Sequence, residues 1–550
     1  MLSTMSDYPL TIGSIFEHGV RVHATSEVAT WTSSGLKRTT FAAVGARVRQ
    51  LAQALQRLGI LPGDRVATLC WNTQEHIEAY YAISSMGAVV HTLNLRLFPD
   101  QLAYVINHGG SRILIVDASL APLLLRIASQ LRTIEKIIVV GEAEGIPADF
   151  LRYEQLLAAE SPEFAWPALD ERSAAVMCYT TGTTGDPKGV VYSHRSIYLH
   201  ALGICAPWCT GANCNDRSLV IVPMFHASAW GIPYASWLAG SSMLMPGPFL
   251  QPEALSKMIL AYRPSVVSGV PTILSGLFHY ADQNNIDLSL FRLIFCGGAA
   301  LPRSLAEKFR SRYGVRVIQG WGLTETSPVA AVAQPPDHCA PEDELDWTTK
   351  TGRVIPGVEL RICDGDKVLP WDGESIGEIE VRGPWVTSSY YGADVPEKFH
   401  DGWLRTGDVG VVDQRGYLRL TDRSKDVIKS GGEWISSVDL ENAIIDHPDV
   451  LEAAVIGVPD EKWDERPLAC VVPMKGVTLS LGALRTHLAS RVSRWWIPER
   501  WAFLDEIPKT SVGKFDKKAL RATYANGQIV EIRSTGDTPD PFAAPAGLTR

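Results

Sequence analysis

No stretch of this sequence supplies the roughly 20 consecutive apolar residues that a helix needs to cross a bilayer. Its opening residues, MLSTMSDYPL, lack the basic segment and following apolar run of a secretory leader. Nor is there an excess of positive charge. The formal net charge is −9 over 550 residues, which argues against a general nucleic-acid surface and requires any anion site to be local and lined by lysine or arginine. Cysteine is scarce: the nine along the chain are an odd count without paired spacing, which suits reduced thiols in a reducing compartment. Only Cys205, Cys209 and Cys214 cluster, and without a fourth ligand or a familiar spacing they support no metal site. Tandem repeats are absent. A cytoplasmic protein with no transmembrane segment and no nucleic-acid partner is expected.

What is present is enough apolar residue, 46%, to fill more than one core in a chain too long for a single domain. Up to about residue 360, strand-like runs alternate with helix-length amphipathic stretches: RVATLCW (65–71), EHIEAYYAISSMG, AVVHTL, then RILIVDA (112–118), LAPLLLRIASQL, KIIVVG. This is an α/β pattern, with mostly parallel sheet. After Pro356, VELRICDGDKVLP, GEIEVRGPWV and GWLRTGDVGVVDQRGYLRLTDR predict a small, partly antiparallel β unit. From Arg423 a compact α+β segment follows, with helices at SSVDLENAIIDHP and LGALRTHLASRV and a strand at EAAVIGVPD. The expected division is a large domain over 1–422, a small one over 423–526 and a disordered tail over 527–550.

Five stretches carry chemistry. Residues 179–189, YTTGTTGDPKG, follow the apolar run SAAVMCY, which reads as a buried strand. Glycine and proline at this density end regular structure. The loop sets backbone N–H groups, hydroxyls and Lys188 at a strand's carboxyl end, where phosphate commonly binds, yet it does not match the Walker A pattern. Residues 319–326, QGWGLTET, follow the strand-like GVRVIQ. Two glycines there let backbone approach a ligand, Trp321 offers an aromatic face, and Thr324 and Glu325 supply a hydroxyl and a carboxylate suited to Mg²⁺. Taken alone, this is equally a tight turn around a satisfied tryptophan. In WLRTGDVG (403–410), Asp408 has the geometry of a ribose ligand or of a plain β-turn. DRSKDVIKSGGEWIS (422–436) and PKTSVGKFDKKAL (508–520) are, alone, solvated charge clusters. GESIG (373–377) fits a serine-hydrolase elbow, but a turn precedes it and an alternating strand follows, where an elbow needs a strand and then a helix.

In this order and spacing the five stretches resemble the adenylate-forming superfamily of acyl-CoA synthetases, luciferases and peptide-synthetase adenylation domains, over about residues 10–525. VPMFHASAWGIPY, GPWVTSSYYG and SGGEWISSVDLENA look like bacterial medium- and long-chain fatty acyl-CoA synthetases. The resemblance implies an α/β fold: a large N-terminal domain of several subdomains with doubly wound sheets and a small β unit, and a small, mobile α+β C-terminal domain. Thr180, Thr181, Gly182, Thr183, Thr184 and Lys188 would hold the β- and γ-phosphates of ATP. Gly298, Ala299 and Trp321 would line the adenine site, and Asp408 and Arg423 the ribose site. Thr324 would meet the α-phosphate, and Glu325, with Thr184, the Mg²⁺. Lys425 matches the hinge, Lys514 the catalytic lysine, and Ser430, Gly431 and Gly432 a loop facing CoA. His226 falls near the substrate carboxylate and Trp230 at the mouth of an acyl tunnel, with core packing the plainer reading of that tryptophan. Trp434 and Ser437 stand where many members carry Asn or Gln and Pro.

The implied reaction joins a carboxylic acid, ATP and CoA through acyl-AMP, with medium-chain fatty acids as the expected substrates, in a chain for which homodimerisation is a family expectation. The alternatives are a ligase for a short thioether, aryl or dicarboxylic acid, a luciferase-like oxygenase, or a module that loads a carrier protein. The full two-domain chain without a following carrier segment tells against the last.

Overall fold

Hydroxyl side chains start the helices of the α/β region. Thr11, Thr40, Thr73 and Ser193 each accept a hydrogen bond from the backbone N–H three residues on, at the heads of Ile12–Val22, Phe41–Arg57, Gln74–Ser85 and His194–Cys205. The computed structural model describes residues 3–180, 186–423, 426, 428–430, 433–510 and 514–533. It divides into two compact units, one of Met1–Ala299, Phe309–Leu360 and Glu380–Arg405, the other of Ala300–Lys308, Arg361–Ile379 and Thr406–Arg550.

The first unit holds two mainly parallel sheets, as the alternation of runs predicts. One orders its strands Leu151–Arg152, Lys136–Val140, Ser111–Asp117, Arg65–Leu69, Val89–Thr92, Ala174–Tyr179, Gly189–Ser193. The last of these is antiparallel to its neighbour. In the other, the parallel strands Ser242–Met245, Arg217–Val220, Val266–Gly269, Leu293–Cys296 and Val317–Gly322 lie side by side, and Val329–Val332 and Gly352–Val354 continue it antiparallel. Continuous apolar strands such as 113–116 are buried on both faces, as parallel sheets require. The LAPLLLRIASQL stretch departs from the expected helix. Only Ala121–Leu125 is α-helical, between 3₁₀ turns, because Ile127 leaves helical geometry (φ −111°, ψ 0°) and is fully buried.

Beyond Pro356, the hairpins Glu359–Asp364/Lys367–Leu369 and Trp403–Val412/Tyr417–Arg423 form the antiparallel β part. A further sheet runs Glu433–Ile435, Ile428–Ser430, Asp464–Pro473, Arg500–Phe503, Ile532–Arg533, with Val450–Asp460 paired to Asp464–Pro473. Helices Ser437–Ile445 and Leu481–Ala489 match the sequence expectation. The start of the tail does not: Ile529 is buried and Ile532–Arg533 pairs antiparallel with Arg500–Phe503, because an apolar contact and a strand edge are available there. Residues 534–550 lie outside the described residues. Among the described residues, no helix is long and apolar enough to cross a membrane.

Candidate active site

The glycine- and threonine-rich loop closes a hairpin. Tyr179 pairs with Gly189 across antiparallel strands. The Thr180 N–H donates to the Lys188 carbonyl (2.9 Å), and the Lys188 N–H donates to Thr180 Oγ1 (3.3 Å). Thr180 and Lys188 are thereby fixed at the loop's two ends. Thr181, Gly182, Thr183 and Thr184 lie outside the described residues, as do Lys425, Gly431 and Gly432. The Lys188 ammonium sits 5.4 Å above the centroid of the Tyr390 ring, a cation–π contact.

Thr324 and Glu325 occupy a 3₁₀ turn, Thr324–Thr326, at the carboxyl end of Val317–Gly322. Gly298 and Ala299 follow the neighbouring parallel strand, Leu293–Cys296. Ligands of open α/β sheets bind at such strand ends. Packing alone requires the glycines of QGWGLTET: a Cβ on Gly320 would run into the Phe295 ring, and one on Gly322 into the Pro328 carbonyl. Trp321 is mostly buried.

Two tyrosines grip the turn. Tyr192 Oη donates to the Thr324 carbonyl (2.7 Å), and Tyr390 Oη donates to Glu325 Oε1 (2.7 Å). Burial, reinforced by the Glu325 carboxylate, pushes the Tyr390 hydroxyl far above the usual phenol range, so it remains a donor. The Thr387 N–H donates to the Glu325 carbonyl (2.8 Å), and Ser327 Oγ donates to the Trp385 carbonyl (2.8 Å). His200 Nε2 accepts from the Val329 N–H (3.1 Å), and burial lowers its pKa to about 3, keeping it neutral. Tyr192, Trp385 and Tyr390 border a cavity of about 480 Å³.

His226 precedes a left-handed turn. Ala227, Ser228, Ala229, Trp230 and Gly231 all have φ between 42° and 75°. For residues other than glycine this conformation is strained and persists only where the surroundings over-determine it. The segment leading into the turn is braced by Asn72: Nδ2 donates to the carbonyls of Val220 and Val222, and Oδ1 accepts from the Met224 N–H, each at 2.8 Å. Tyr80 Oη donates to the Met224 carbonyl and Thr92 Oγ1 to that of Phe225. Trp230 is 7% exposed, stands edge-on to Phe295 with ring centroids 6.3 Å apart, and would lie 3.1 Å from a Cβ on Gly297.

In the second unit, Asp408 is buried and stands opposite Arg423 in the strand register. Ser430 is fully buried, and its Oγ accepts from Arg466 Nη1 (3.1 Å). Lys514 ends a loop pinned like the first: the Thr510 N–H donates to the Lys514 carbonyl (2.7 Å) and the Lys514 N–H to Thr510 Oγ1 (3.2 Å). GESIG is no elbow: Ser375 Oγ donates to Asp372 Oδ2 (2.7 Å) in an exposed turn. Asn72, Tyr80, Thr92, Tyr192, His200 and Tyr390 escape a sequence reading. Only GPWVTSSYYG, which contains Tyr390, carries a signal for one of them.

Residues 16–391 match the AMP-binding enzyme family, and residues 439–514 match the AMP-binding enzyme C-terminal domain. The chain belongs to the AMP-binding enzyme family. Among its relatives, a 3-methylmercaptopropionyl-CoA ligase of Ruegeria pomeroyi is 42% identical over 95% of this chain and 99% of its own. A long-chain-fatty-acid–CoA ligase of Thermus thermophilus is 43% identical over 95% and 97%. The solved structure of an anthranilate CoA ligase in complex with anthranoyl-AMP, 27% identical, superposes with a TM-score of 0.86 over 95% of this chain and 99% of that one. The AMP-binding family thus accounts for the two sheets of the first unit and the small sheet of the second.

Proposed function

We propose that this chain is an ATP-dependent acid–thiol ligase that makes acyl-CoA from unbranched, apolar carboxylic acids of medium length. One observation carries the reading: Tyr390 joins Lys188 of the glycine- and threonine-rich loop to Glu325 of the strand-end turn. A phosphate loop and a carboxylate suited to a divalent cation are therefore held by one side chain.

A carboxylate is a poor acyl donor. In the first half-reaction one carboxylate oxygen attacks the α-phosphorus of ATP in line, the α–β anhydride bond breaks, and pyrophosphate leaves. In the second, the CoA thiol loses its proton and attacks the acyl carbon, and AMP departs with the carboxylate oxygen. Thr180, Thr181, Gly182, Thr183, Thr184 and Lys188 hold the outgoing phosphates, Gly298, Ala299 and Trp321 the adenine, and Asp408 and Arg423 the ribose. Thr324 and Lys514 stabilise charge at the α-phosphate. The hard carboxylate oxygens of Glu325, with the Thr184 hydroxyl, suit Mg²⁺, which when bound neutralises phosphoryl charge. His226 orients the substrate carboxylate, and Trp230 stands at the acyl channel. The 423–526 domain turns about Lys425 between the half-reactions, bringing Lys514 in for adenylation and residues 430–432 in for thioester formation. The setting inferred is cytoplasmic, with a homodimer as the assembly.

Medium length is supported by relatives that bracket it, one named for a short thioether acid and one for long-chain acids. The first also favours a second reading, a ligase for short thioether acids. A panel of short to long fatty, thioether and aryl acids, assayed for AMP and acyl-CoA, tests both. Medium-chain acids should give the highest kcat/KM; a thioether acid in first place selects the second reading, and no AMP with any acid removes both. In the same assay Lys514→Ala should slow acyl-AMP formation by about a hundredfold, the scale for one preorganised charge partner, yet still convert supplied acyl-AMP and CoA.

A further inference from the structure

GPWVTSSYYG supplies no group to the reacting atoms, yet residues 385–391 reach both halves of the phosphate site. Trp385 Nε1 donates to the Val329 carbonyl (3.2 Å), and its carbonyl accepts from Ser327 Oγ. The Thr387 N–H holds the Glu325 carbonyl, and the Tyr391 N–H donates to the Gly189 carbonyl (2.8 Å) at the foot of the hairpin loop. Between these anchors stands Tyr390, 7% exposed. Its hydroxyl grips Glu325 Oε1, and its ring face carries the Lys188 ammonium. One side chain engages the two opposite charges that a metal–nucleotide complex would need.

A glutamate side chain has three rotatable bonds and loses rotamer freedom when it is fixed. A hydrogen bond to one carboxylate oxygen supplies that ordering before any ligand arrives. The same logic makes outer-sphere partners of metal ligands matter to affinity.

We infer that Tyr390 is a positioning residue, which fixes the Glu325 carboxylate for a divalent cation through its hydroxyl and the Lys188 ammonium for a nucleotide phosphate through its ring. This rests on the proposed function, because it takes the metal nucleotide as the ligand. The hydroxyl and the ring separate the two roles. Tyr390→Phe keeps the ring and removes the grip on Glu325; Tyr390→Leu removes both.

The test is Mn²⁺ binding in the presence of ATP, read by the electron paramagnetic resonance of free Mn²⁺ in the intact chain, beside ATP binding in EDTA. Tyr390→Phe should weaken Mn²⁺ binding by roughly tenfold, the scale of one hydrogen bond to a charged group, and leave metal-free ATP binding unchanged. Tyr390→Leu should in addition weaken metal-free ATP binding by several-fold, the scale of a lost cation–π contact. In a Glu325→Gln background, Tyr390→Phe should have no further effect on Mn²⁺. Ser327→Ala serves as comparator, since it loosens the same segment without touching the carboxylate, and its Mn²⁺ affinity should be that of the parent. The inference is overturned if Tyr390→Phe binds Mn²⁺ as the parent does, if its effect persists in the Glu325→Gln background, or if Ser327→Ala loses as much. If the parent binds no Mn²⁺ with ATP, the proposed function itself fails, a separate outcome.

Discussion

Trp230 is the residue whose two readings diverge most. It is 7% exposed and packs on Phe295 and Gly297, as a core tryptophan would. It also stands in a left-handed conformation at φ 58°, a strain that packing alone gives no reason to keep. If it lines the acyl channel, Trp230→Ala shifts the preferred chain length upward while the melting temperature falls little. Pure core packing gives the reverse, a loss of about 3–5 kcal/mol with the same ranking of acids. Kinetics across the acid panel beside thermal unfolding of the variant decides between them. Single residues were the least legible part of the sequence. Glu325 stood out because a carboxylate after a glycine-rich turn is chemically conspicuous. Tyr390, 65 residues further on, did not, because a tyrosine in a polar loop announces nothing until the fold brings it to a carboxylate.

Among the elements, the parallel strands were readable as short, doubly buried apolar runs, and the helices from periodicity and caps. What periodicity does not encode is how a turn is held. The segment 220–224 that leads into the turn 227–231 is braced by Asn72, whose three hydrogen bonds span 148 to 152 residues of sequence. That long-range dependence yields a second expectation. Asn72→Ala removes three buried hydrogen bonds, and a buried polar group left without a partner costs about 1–3 kcal/mol. It should raise KM for the acid far more than KM for ATP, because the loop 180–188 is pinned by its own Thr180 and Lys188 contacts. Equal changes in both constants, measured by steady-state kinetics, would mean that the turn supports the whole site and not the acyl side. The short strand Gly189–Ser193 was also missed, since its five residues, GVVYS, carry too little alternation to be distinguished from the loop before them.

At the scale of the whole molecule, each unit carries one lysine at the end of a threonine-pinned loop, Lys188 in the first and Lys514 in the second. The proposed chemistry assigns the outgoing phosphates to one and the adenylation step to the other. That a large α/β part with sheets is followed by a small α+β part with its own sheet was legible from texture, because continuous apolar strand runs give way to alternating ones toward the C-terminus. The central claim is that the acid is activated as its adenylate. It is tested most directly by giving the enzyme a medium-chain acid labelled with ¹⁸O in its carboxylate, with ATP, Mg²⁺ and CoA, and analysing the products by mass spectrometry. The account predicts one ¹⁸O in AMP, none in pyrophosphate, and acyl-CoA formed in equal amount with AMP. Label in inorganic phosphate, with ADP as the nucleotide product, would contradict it.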